Sequence, residues 1–129
     1  MLTEADLRNF TGTEGYHRWS GLFRRHVLTD GCKHVAEEAG AYWLFDAIAS
    51  HHAKAMRHQD QRLHEFQIWF LKVKPNNKAR LECWADTGEG EHALIVQNIE
   101  YTDFPLPEIK FYVAPLDETN FVIMLGSEY

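Results

Sequence analysis

Apolar residues along this 129-residue chain change their spacing near residue 66. Before it they recur at the three- and four-residue intervals of a helix; after it they alternate with polar residues, as on a half-buried strand. Thr3-Glu4-Ala5-Asp6 has capping-box spacing, with Asp in the place of Glu, and leads into Leu7 and Phe10. A short helix is expected over 3–10. Gly12 and Gly15 break it, and residues 16–28 keep no single period; they are read as including an extended segment that ends at Leu28.

Thr29-Asp30-Gly31 admits two readings. As a hairpin turn, Asp-Gly joins Phe23–Leu28 to Cys32–Glu37 and sets His26 opposite His34. As a helix start, Asp30 caps a run in which Cys32, Val35, Ala36 and Ala39 share one face, and Gly40 takes the position of a C-terminal glycine. The helical spacing is the fuller match. Ala41–Ser50 is apolar on every side, as expected of a central buried helix.

Five alternating runs follow: 66–74, 79–86, 92–102, 108–114 and 120–125. Turn residues separate them at 75–77, 87–91, 104–107 and 115–119. Connections this short favour strands that pair in sequence, antiparallel. The expected architecture is α+β, with N-terminal helices packed on one antiparallel sheet of four to five strands, a meander. It forms a single domain, 1–129, with a mainly helical half over 1–65 and the sheet over 66–129.

Composition fits this picture. The chain is 45% hydrophobic and 25% charged, which excludes disorder and coiled coil. Its formal charge is −6, and a net anion is repelled by phosphate backbones and anionic membranes. The charge is uneven: residues 1–60 carry seven bases and eight acids, residues 61–129 six bases and eleven acids. A local basic cluster comprises His17, Arg18, Arg24, Arg25, His26, Lys33 and His34, read as a solvated face with a few ion pairs in preference to a phosphate site. Protonating all eight histidines would carry the formal charge from −6 to +2, so the surface potential depends on pH below neutrality. Cys32 and Cys83 have neither CxxC nor metal spacing and are read as two buried thiols in a reducing cytosol. No signal peptide is recognised at MLTEADLRNF, and no apolar run is long enough to cross a bilayer. The expected location is cytoplasmic.

Candidate motifs thin out on inspection. Cys32–Ala49 has a helix-turn-helix outline, but its second helix offers Tyr42-Trp43-Leu44-Phe45 where polar side chains must meet base edges. Direct nucleic-acid binding is therefore not expected. His51, His58 and Glu65 share a helical face only at seven-residue steps, about 10.5 Å of rise, too far apart for one ion. The glycine- and acid-rich stretch Asp86–Glu91 lacks EF-hand spacing and is read as a hairpin turn. No catalytic, nucleotide or metal signature is present, and no cofactor is expected. Asp46 is the most informative single residue, a carboxylate among apolar neighbours. Burial requires that it face solvent or pair with a base such as Arg24, Arg25 or a histidine.

Three blocks, LTDGCKHVAEEAGAYWLFDAIAS (28–50), FQIWFLKV (66–73) and YTDFPLPEIKFYV (101–113), resemble a family of small uncharacterised proteins met in bacteria, phages and other mobile genetic elements. The resemblance spans most of residues 20–113. That family has no assigned activity, so no residue inherits a role; the resemblance implies only an intracellular accessory protein of phage or plasmid origin. The leading expectation is a non-enzymatic binding protein that inhibits a host defence or regulatory protein through its acidic surface. Self-association through an exposed strand edge is a further expectation. The alternative is a small-molecule or nucleotide-derivative binder, or a hydrolase, using Arg24, Arg25, His26, His51 and His52 around Asp46. Convergence of those side chains on one concave site separates the two.

Overall fold

Residues 1–129 are all described by the computed structural model. The five alternating runs form β3 (Gln67–Val73), β4 (Ala79–Trp84), β5 (Ile95–Ile99), β6 (Glu108–Pro115) and β7 (Phe121–Leu125). Two more strands precede them, β1 (Tyr16–His17) and β2 (His26–Thr29). The helices are α1 (Glu4–Arg8), α2 (Asp30–Glu38), α3 (Tyr42–Ser50) and α4 (His52–Met56), with single 3-10 turns at Gln61–His64 and Gly126–Glu128. None is long and apolar enough to cross a membrane.

The strands form one seven-stranded mixed sheet in the order β1-β2-β7-β6-β3-β4-β5. This overturns the expected antiparallel meander of four to five strands beneath an N-terminal helical half. Two of the strands come from that half, and β2 pairs parallel with β7, His26 opposite Phe121 and Leu28 opposite Ile123. β6 returns to lie beside β3, Trp69 opposite Phe111, and only then is β7 added. The reason is that short connections constrain only neighbours in sequence. Residues 102–107, with buried Thr102, Phe104 and Leu106, carry the chain from the β5 edge back to the far side of β3. Residues 26–29 are too few to show a period, and their pairing is made nearly one hundred residues away.

The segment after Leu28 is a helix. Thr29 is its N-cap, one residue before the Asp30 expected in that role; its hydroxyl accepts from the Cys32 N–H at 3.4 Å. Helix α2 closes where Gly40 adopts φ +59° and the Ala41 N–H reaches the Ala36 carbonyl at 2.8 Å, the arrangement that satisfies orphan carbonyls at a helix end. Glu128 completes the start of α2: its carboxylate accepts from the Thr29 hydroxyl (2.5 Å) and the Gly31 N–H (3.0 Å). A side chain at Gly31 would stand 2.6 Å from Leu125 Cδ1 and 2.7 Å from Glu128 Oε1, so it would have to displace the carboxylate that completes the start of α2.

One sheet face meets the helices. Val35, Leu44, Phe45 and Ile48 pack against Trp69, Leu81, Phe111 and Ile123, with Phe45 edge-on to Phe111 at 5.2 Å. Each such side chain contributes about 1.5–3 kcal/mol on burial. The second helix of the helix-turn-helix outline is thus consumed by the core. Cys32 and Cys83 are free thiols in that same interior.

Candidate functional site

Four of the six candidate residues come together. The segment 21–26, which leads into β2, and the junction of α3 with α4 enclose a cleft of about 500 Å³ lined by Arg24, Arg25, His26 and His52. Leu22, Phe23, Ala49 and Ala53 supply its apolar walls, and Leu22 stands 86% exposed at the surface. The segment is held by its own backbone groups. The Arg18 guanidinium donates to the Arg24 carbonyl and to Asn120 Oδ1, Arg24 Nε donates to the Gly21 carbonyl at 3.1 Å, and the Phe121 N–H donates to the Arg25 carbonyl at 2.6 Å.

His26 is only 3% exposed and lies edge-on to His52, ring centroids 5.0 Å apart, with the Phe121 ring stacked on it at 5.9 Å and edge-on to His52 at 4.7 Å. Burial first, then the neighbouring His52 and Arg25, push the His26 pKa down to about 4. Burial and Arg25 lower His52 as well. Both rings are therefore neutral near pH 7, able to donate from one nitrogen and accept at the other. His52 Nδ1 is buried without a protein partner. The ion pairs of the fold involve neither Arg24 nor Arg25, so the cleft holds two uncompensated guanidinium groups.

Asp46 and His51 lie outside this cleft. Asp46 Oδ1 accepts from the Trp19 indole N–H at 2.8 Å, beside Arg18, Ser20 and Tyr42 in an adjoining hollow. Of the two expected settings, solvent or a base, it has neither in full: the side chain is half-buried and its partner is an indole. Trp19 stacks on Phe23 and meets Phe45 edge-on, so the Asp46 hydrogen bond anchors the strap that carries Arg24 and Arg25. His51 stacks on Trp69 at 5.7 Å and bonds Gln97 Oε1 at 2.8 Å. Phe121 and Trp19 went unrecognised in the sequence because an apolar residue on a strand and an aromatic in an aperiodic segment carry no mark of what they touch.

No carboxylate or thiol lines the cleft, and its one hydroxyl, Ser50 Oγ, donates to the Ala47 carbonyl at 2.7 Å. Nowhere in the chain do three His, Cys, Asp or Glu side chains stand close enough to hold a metal ion. The arrangement suits capture of an anion rather than nucleophilic attack: fixed charge from arginine, neutral imidazoles as orienting groups, apolar walls for an uncharged body. No curated protein and no solved structure matches the chain. A family profile matches it from end to end, over residues 1–129, and the chain belongs to that family, the family of unknown function DUF6876.

Proposed function

We propose that the protein binds a small molecule carrying a phosphate or carboxylate group in the cleft between residues 21–26 and the α3–α4 junction. One observation carries this reading: Arg24 and Arg25, free of carboxylate partners, converge with neutral His26 and His52 on a single apolar-walled concavity. Arg24 and Arg25 would clamp the anionic group, and the imidazoles would orient it. Leu22, Phe23 and Ala53 would cover the remainder.

The alternative, inhibition of a host defence or regulatory protein through an acidic surface of a mobile-element protein, draws less support. Several acids of the C-terminal half are engaged internally: Glu82 by Lys72 and Arg80, Glu91 by Arg62, and Glu128 by α2. The exposed pairs Asp86 with Glu89 and Glu100 with Asp103 flank opposite ends of β5 and form no single patch.

Titration of 15N-labelled protein with inorganic phosphate, adenosine monophosphate and benzoate tests the proposal. At least one probe is expected to shift amides of residues 21–26 and 49–53. Arg25→Ala should weaken that binding about tenfold or more, the effect of removing one charge-assisted hydrogen bond. Absence of localised shifts with all three probes at millimolar concentration would reject the cleft as an anion site.

A further inference from the structure

The second face of the sheet carries no α-helix, and Phe66 and Tyr129 pack on its Tyr112 corner with ring centroids 4.9 and 5.3 Å away. Alternation along β3, β4 and β6 sends Ile68, Phe70, Lys72, Arg80, Glu82 and Trp84 to it, together with Glu108, Lys110 and Tyr112, while Trp69, Leu71, Leu81, Cys83 and Phe111 face the core. Strand register arranges the outer set in three rows across β4, β3 and β6. The rows read Trp84-Ile68-Tyr112, Glu82-Phe70-Lys110 and Arg80-Lys72-Glu108. On β5 the exposed Val96 continues the middle row beside Glu82.

This pattern is complementary to itself. A two-fold axis running along β3 and lying between two facing sheets sets β4 of one copy over β6 of the other. Each row then meets its own mirror order: Arg80 faces the other copy's Glu108, Glu82 faces Lys110, and Trp84 faces the corner where Phe66 and Tyr129 pack with Tyr112. Phe70 meets its equivalent at the axis, beside Ile68, which is already 8% exposed within one chain. Lys72, also at the axis, is already neutralised, its Nζ 3.0 Å from Glu82. We propose that two copies of this chain pack through their helix-free faces as a two-fold homodimer, a sandwich of two sheets.

Charge and area both favour a second copy over other occupants. The chain is −6, yet this face sets three cations against two carboxylates, so two copies meet there without the repulsion their other surfaces impose. A nucleic acid would meet Glu82 and Glu108 set among those three cations, carboxylates that repel phosphate but find opposite charges on a second copy. Five strands about 4.8 Å apart and about 20 Å long give roughly 500 Å² in plan. Side-chain relief brings this toward the roughly 800 Å² of accessible surface per partner in a stable interface. The Arg24–His52 cleft belongs to the helical side and stays open in the dimer.

Sedimentation velocity on the full chain, from low to several hundred micromolar, tests the proposal, with circular dichroism confirming that each variant is folded. The wild-type chain is expected to dimerise. Arg80→Glu alone and Glu108→Arg alone each place like charges across the interface twice and should weaken dimerisation by at least about tenfold. An equimolar mixture of the two variants restores opposite charges at both positions and should form a heterodimer. A wild-type chain that stays monomeric throughout, and that includes one found to bind an oligonucleotide on this face, overturns the proposal. So does a dimer indifferent to the single substitutions, which places contact elsewhere, such as the β5 edge. Folded monomeric variants that fail to associate on mixing overturn it equally.

Discussion

Acidification should destabilise this fold through His26, and the size of the effect can be worked out. The ring is 3% exposed and its pKa is pushed down to about 4, against the ordinary 6.5 it regains on unfolding. At pH 7 neither state holds the proton. As the pH falls through 6.5 the unfolded chain takes it up, while the folded ring refuses it until about pH 4. Stability is therefore lost as pH falls between those values, and a difference of this size amounts to about 3 kcal/mol in full, of which about 2 kcal/mol appears between pH 7 and pH 5. His52, lowered by burial and by Arg25, adds in the same direction. Urea unfolding followed by tryptophan fluorescence at pH 7 and pH 5 measures the loss. His26→Gln should lose about 2 kcal/mol less than the wild type over that interval. Equal losses in the two proteins would show that burial at the His26 site does not hold its ring neutral.

Other substitutions probe the frame that holds the cleft. Phe45→Ala empties a fully buried site against Phe111 and Trp19 and should cost about 3–5 kcal/mol in urea unfolding. Thr29→Ala and Glu128→Gln each disturb the start of α2 and should cost about 1–2 kcal/mol. Because the two groups share a hydrogen bond, the double variant should lose less than the sum, by at least about 0.5 kcal/mol. Gly40→Ala forces a side chain into φ +59° and should lower stability by about 1 kcal/mol. Burial pushes both thiols well up, so Cys32 and Cys83 should resist a disulfide reagent in the native protein and react together on unfolding. Rapid labelling of either one in the folded state would contradict its place in the core.

Much of the local structure is legible in the residues. The capping box at Thr3 and Asp6 forms as spaced. Cys32, Val35 and Ala36 at helical intervals become the buried face of α2, with Gly40 just beyond its end. The five alternating runs appear as β3 to β7, because alternation reports which side chains share a face whatever the strand pairs with. Of the candidate site, Arg24, Arg25 and His26 lie together in the chain, and their clustering was visible as an excess of positive charge in an acidic protein.

Pairing and convergence were decided only in three dimensions. Backbone hydrogen bonding is the same for any sequence, so the four residues His26–Thr29 carried nothing to announce a parallel partner in Phe121–Leu125, and nothing in the connection lengths placed β6 between β3 and β7. His52 joins His26, and Asp46 instead secures Trp19, in a helix layer whose position is fixed by the burial of Phe45 and Ile48 in the core with Phe111. Periodicity along one chain records which side chains prefer the interior. Which of them meet is settled by packing all the layers at once, when contacts between residues far apart in the chain compete for the same space.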